Sequence, residues 1–269
     1  MNMAMLHSNP SQAQVDPHSA ITWALTGFRR HSLEEQEQAA LMVRQDHKFV
    51  IRLRDVIVLL EQLVSDYSVL SISNKQLFGY QTRYFDTQNK QCFHHHHNGK
   101  ARRFKLRIRR YLDCQQSFVE CKIKNNKGQT QKLRRVHQGD FSLASASDFL
   151  FRTLAAKSDQ FHAVLDVHYL RMTFMSASCD QRITIDLNLQ FDGCESQQSV
   201  ELENTAVVEI KQKHGQMNTQ VYQTLKRLGY QPKDFSKYCM GCVLTRTPGI
   251  KYNRFKSNIL FLKRIENQL

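Results

Sequence analysis

Arg103-Phe104-Lys105-Leu106-Arg107-Ile108-Arg109-Arg110-Tyr111 alternates cations with apolar residues along almost its whole length. Successive side chains of a strand point to opposite faces. Arg103, Lys105, Arg107 and Arg109 therefore share one face, and Phe104, Leu106 and Ile108 share the other. The design recurs along the chain. Residues 118–124 set Glu120, Lys122 and Lys124 against Val119, Cys121 and Ile123. Residues 131–136 put Lys132 and Arg134 opposite Leu133. Residues 182–187 oppose Arg182, Thr184 and Asp186 to Ile183, Ile185 and Leu187. Residues 207–211 oppose Glu209 and Lys211 to Val208 and Ile210. Nearer the start, Arg44, Asp46 and Lys48 oppose His47, Phe49 and Ile51.

Alternation of this kind fits half-exposed antiparallel strands whose charged faces meet water. Like charges facing one another across strands are destabilising, however, and repeated cationic faces call for a compensating anion. The expected fold is α+β: a closed antiparallel barrel with a charged lumen and helices packed on its apolar exterior. Helical periodicity appears over residues 54–63 and 147–156, and over 218–228, where Gly229 suits a helix end. The basic tail around Lys251, Arg254, Lys256, Lys263 and Arg264 reads as a capping helix with a solvated face.

The bulk composition agrees with a polyanionic partner. The chain has 269 residues, with 38 Lys and Arg against 24 Asp and Glu, a net charge of +14. Charge of that size suits nucleic acid, a membrane surface or a phosphate chain without choosing among them. Of the seven cysteines, only Cys239 and Cys242 stand close together. No second pair completes a zinc site, so reduced thiols are expected. Residues 1–22 read as a flexible arm and 23–269 as a single domain with its core at about 44–244. The opening residues have no apolar segment of the signal-peptide kind. No stretch reaches the roughly 20 apolar residues of a membrane helix, so a cytoplasmic protein without a transmembrane segment is expected.

An inward-facing set of Arg and Lys can grip several phosphates at once, Arg bidentately and Lys as a mobile point charge. Carboxylates on the same face need a reason. Glu120, Asp186 and Glu209 have one if a divalent cation sits between carboxylate and phosphate oxygens. For Glu209 the metal is favoured over pairing with Lys211. For Glu120 the metal and an ion pair with Lys122 both stand.

The chain resembles the catalytic domain of the vacuolar transporter chaperone (VTC) family, polyphosphate polymerases among the triphosphate tunnel metalloenzymes. The resemblance rests on Tyr84-Phe85-Asp86-Thr87, residues 104–111, Phe118-Val119-Glu120-Cys121-Lys122, Tyr169-Leu170-Arg171, residues 182–186, Val208-Glu209-Ile210-Lys211 and Phe235-Ser236-Lys237-Tyr238. It implies that Lys48, Arg107, Arg109, Lys122, Lys132 or Arg134, Arg171, Arg182, Lys211 and Lys237 line the tunnel. Lys105 joins them by its place in the alternation. The resemblance also makes Glu209 the metal carboxylate, with Mn²⁺ or Mg²⁺ as cofactor. Two features depart from the family pattern. Asp46 stands where Glu is usual, and His94 to His97 occupies what is expected to be a variable, solvated hairpin.

The function so implied is transfer of the ATP γ-phosphate to a growing inorganic polyphosphate chain. Arg107, Arg109 and Arg171 would neutralise the transferring group, and Lys237 would act near the tunnel mouth. A triphosphatase or polyphosphatase of the same fold and a non-catalytic polyphosphate binder are the alternatives. Nucleic acid ranks last, because most aromatic residues fall on the face opposite the cations, not between them.

Overall fold

The computed structural model describes residues 16–38, 44–213 and 219–267. Its centre is a sheet whose main path runs β2 (Arg44–Arg52), β11 (Thr205–Lys213), β9 (Gln181–Gly193), β8 (His162–Ser176), β4 (Phe78–Asp86), β5 (Arg103–Tyr111), β6 (Gln116–Lys124) and β7 (Thr130–His137). Every neighbouring pair on this path is antiparallel. Off the path, β3 (Tyr67–Leu70) pairs with β8 and, in parallel, with β1 (Arg29–His31), while β10 (Ser199–Leu202) pairs with β9.

The expected closed barrel is corrected in one respect. Among the described residues, β2 and β7 are the two ends of the path and do not pair with each other. Lys48 of β2 already lies near Lys105 and Lys122, a like-charge contact that a ladder between the two ends would tighten. The sheet curls nonetheless. Lys48 donates to the Phe235 carbonyl at 3.2 Å and Lys105 of β5 to the Ser236 hydroxyl at 2.8 Å. Strands far apart in the order thus reach adjacent residues of one segment, and their charged faces look inward at each other.

Apolar faces point outward and are covered by helices. Ile51, Phe174, Ile185 and Val208 pack with α1 (Pro17–Leu25), α3 (Asp55–Leu63) and α6 (Gln220–Arg227). Leu106, Ile108, Val119 and Cys121 pack with α5 (Ser147–Leu154). A third cluster lies on the inner face at one end, where Tyr84, Leu165 and Phe191 pack with α7 (Lys237–Leu244), joined by α4 (Gln91–His97) and α8 (Lys256–Glu266). A short helix α2 (Leu33–Gln38) follows β1.

Two expectations change here. The arm does not extend through residue 22. Asp16 caps α1 by accepting from the Ser19 amide, Pro17 opens it, and Ile21 and Leu25 are buried. Residues 1–15 lie outside the described residues. The His94–His97 tract is helical, with His97 buried. Its cause is tertiary: the buried Asp86 carboxylate accepts from the Cys92 and Phe93 amides at 2.8 and 2.9 Å, capping α4 from β4. The other expected helices form at 55–63, 147–154 and 220–227, with Gly229 at φ +84°. Cys239 and Cys242 are free and buried in α7, and the other five cysteines are free thiols as well. No helix among the described residues is long and apolar enough to cross a membrane.

Candidate active site

Pairing register stacks the inward residues in layers. Lys105 lies opposite Lys122 and Lys122 opposite Lys132; the next layer holds Arg107, Glu120 and Arg134. On the other wall Lys48 lies opposite Glu209, and Glu209 opposite Thr184; beside them Lys211 meets Asp46 and Arg182. Arg171 and Asp186 are partners between β8 and β9.

Three carboxylates organise these cations. Glu120, 1% exposed, accepts from Arg107 Nε at 2.7 Å and pairs with Lys132 at 2.5 Å, with Arg109 at 4.0 Å. Asp186 accepts from Arg171 Nε and Nη2, at 2.6 and 2.9 Å, and from the Lys237 ammonium. Glu209 pairs with Lys211 and lies 3.9 Å from Lys48. Burial alone would raise each carboxyl, but the cations win. Arg171 and Lys237 bring Asp186 down to about 2. Arg107 and Arg109 hold Glu120, and Lys211 and Lys48 hold Glu209, well below the usual range.

The cations are in excess over these anions, and some respond. Burial and the neighbouring Lys48 push the Lys122 ammonium down to about 8. Burial also takes Lys132 to about 8, against the pull of Glu120. Both remain reachable by solvent, as expected of side chains surrounded by protein on the wall of a wet concavity.

Lys237 reaches the lumen because α7 lies against the inner face at one end. A Cβ on Gly241 would come within 2.4 Å of Leu165 and 2.6 Å of Phe191, so the missing side chain sets the close approach. Ser236 caps the helix, accepting from the Cys239 amide while receiving Lys105. Tyr238 donates to Asp86 at 2.5 Å, tying α7 to α4.

Of the residues singled out in the sequence, Lys48, Lys105, Arg107, Arg109, Lys122, Lys132, Arg171, Lys211, Lys237, Glu120 and Glu209 come together. Arg134 instead lies over the Phe118 ring at 4.6 Å. Arg182 donates to the Gln36 carbonyl of α2, at the rim. Glu120 is taken up by Arg107 and Lys132, not by Lys122. Sequence reasoning missed a tyrosine underlay: Arg171 lies over Tyr80 and Tyr169, Lys237 over Tyr169 and Arg107 over Tyr84. Tyr84 and Tyr169 stood within matched motifs, which was the available signal.

Among the described residues, no group of three or more His, Cys, Asp or Glu could hold a metal ion. Glu209, whose carboxylate is paired with Lys211 and lies 3.9 Å from Lys48, would offer one hard oxygen donor on a cationic wall. That fits a divalent ion held jointly with phosphate oxygens and water, not a preformed protein cage.

A curled antiparallel sheet with a cationic inner face defines a class of protein suited to polyanions. The VTC domain model matches residues 43–246, and the chain belongs to the VTC domain family. Among solved structures, HpAC1 from Hippeastrum, an adenylyl cyclase-like protein described as having a dominant triphosphatase activity, is 12% identical at a TM-score of 0.50, covering 77% of this chain and 98% of its own. An adenylate cyclase-like protein from Vibrio parahaemolyticus is 12% identical at 0.43, covering 74% and 97%. A Pyrococcus horikoshii protein is 14% identical at 0.41, covering 75% and 99%. At such identities the likeness concerns the fold alone. No curated protein matches the chain.

Proposed function

We propose that the protein is a polyphosphate polymerase, moving the γ-phosphate of ATP onto the end of an inorganic polyphosphate chain. The observation that carries this reading is the state of the lumen carboxylates. Glu120, Asp186 and Glu209 are all held ionised by cations, while Lys105 and Lys122 carry charge that no neighbouring carboxylate matches in register. Such a site suits phosphates, and its carboxylates, held well below the usual range, are weak proton acceptors; Lys122 and Lys132, the groups brought to about 8, would face the phosphates themselves. A terminal phosphate is already anionic and needs no proton acceptor; water does.

In the proposed step, an oxygen of the chain's terminal phosphate forms a bond to Pγ while the Pγ–O–Pβ bond breaks and ADP leaves. Catalysis rests on alignment and charge neutralisation. Arg107, Arg109 and Arg171 would neutralise the transferring group. Lys48, Lys105, Lys122, Lys132 and Lys211 would hold flanking phosphates, with Lys237 beside Arg171. Asp186 and Glu120 keep these arginines in place. Glu209 would hold Mn²⁺ or Mg²⁺, which supplies further neutralisation of phosphate oxygens.

Incubation with ATP and Mn²⁺, followed by a phosphate-staining gel, tests the reading. A ladder of long chains, lost in Glu209→Ala, is expected. Free phosphate without chains would make the protein a triphosphatase of the same fold. Bound polyphosphate without turnover would make it a binding module.

A further inference from the structure

The inner face of β5, β6 and β7 changes character along its length. After the layer of Arg107, Glu120 and Arg134 comes one of Arg109, Phe118 and Val136, and then Tyr111. Val136 is 62% exposed although its strand position faces the lumen side. Phe118 and Tyr111 are only half-buried and meet edge-on at 5.7 Å. Arg134 spreads its guanidinium over Phe118 at 4.6 Å, which makes a flat, cationic-aromatic platform. An apolar shelf thus continues a phosphate-binding wall, two residues further along the same strands, a distance of about 7 Å.

Inorganic phosphate chains have no use for such a shelf. A nucleoside does: its base offers a π-face, and its own triphosphate fixes it at this distance from the cations. We propose that Phe118, Arg134, Val136 and Tyr111 form the nucleoside subsite of the lumen, stacking the base of the nucleoside triphosphate whose phosphates Arg107 and Arg109 hold. The proposal rests on the reading that the protein uses a nucleoside triphosphate. It orients the donor, with the base toward Tyr111, the γ-phosphate at the Arg107 layer and the acceptor chain continuing toward Lys105 and Lys122. It also distinguishes donor from product, since only the donor has a base to place.

The test compares binding of ATP and of inorganic tripolyphosphate to the full chain, with divalent metal chelated so that neither is consumed. The variants are Phe118→Leu, which removes the ring but keeps apolar bulk, and Val136→Ser at an exposed position. Loss of base stacking is expected to weaken ATP by about tenfold in Phe118→Leu, with a smaller loss in Val136→Ser. Tripolyphosphate affinity is expected to stay unchanged in both. Equal weakening of the two ligands, or no weakening of ATP in either variant, overturns the subsite. Failure of the polymerase reading shows elsewhere, as absence of chains from the wild-type protein on the gel. Selective loss of ATP binding in the variants would still support the subsite in that event.

Discussion

Glu120 is 1% exposed, with Arg107 and Lys132 within ion-pair distance, so Glu120→Gln leaves those cations facing each other uncompensated. Removing one partner of a buried pair costs about 3–5 kcal/mol; the solvent-reachable Lys132 places this case at the low end. Thermal unfolding should show the loss, and tripolyphosphate should restore more stability to the variant than to the wild type, because phosphate replaces the missing negative charge. Lys122 and Lys132, both brought to about 8, give a pH signature. A bound anion raises a lysine's pKa, so binding near pH 8 should take up protons, and affinity should fall as pH rises through 8. Titration calorimetry in two buffers of different ionisation enthalpy reads this directly; identical heats would contradict it. At the acid end the sign is opposite. Asp186, depressed from 3.8 to about 2, contributes its full stability above its unfolded value, and this is lost as pH falls through 2. What the sequence could disclose at this scale was the face each residue occupies, because strand alternation is local. It could not tell Lys132 from Arg134. Both point inward from β7, and only tertiary distances send one to Glu120 and the other over Phe118.

Among the elements, α7 positions more of the site than its length suggests. Its first residue is Lys237, its cap Ser236 receives Lys105, and Gly241 lets it lie flat on Leu165 and Phe191. Gly241→Ala should cost about 1–3 kcal/mol by overpacking and, by lifting α7, reduce turnover more than tripolyphosphate binding. A melting curve and the gel assay together check this; unchanged activity would detach α7 from catalysis. Strands at 103–111 and 116–124 were legible from period-two alternation, and α3, α5 and α6 from their apolar stripes. The helix over the histidine tract was not, since four histidines have no apolar periodicity and the cap that holds them, Asp86, comes from another element. For α1 the local signal existed in Asp16-Pro17, but a polar composition masked it.

Over the whole molecule, part of the +14 charge lies where it repels itself, on a face curled toward its own opposite wall. Polyanion binding should therefore fall steeply with salt, as it does wherever many phosphates are neutralised together. Ligands that bind only the folded state should raise the melting temperature in proportion to the logarithm of their concentration. The curl was inferable from the need to compensate like charges. The unpaired ends at β2 and β7 were not, because edge pairing depends on distances that no strand encodes alone.

The crowding of ammonium groups around Lys48 and Lys122 also bears on how long a molecule survives. An empty lumen is the less stable of two states, so unloaded molecules open more often, and proteolysis that samples open chains removes them first. Filled molecules are spared. With phosphates as the proposed substrate, abundance would follow phosphate supply without any separate sensor, the substrate acting as the protein's own preservative.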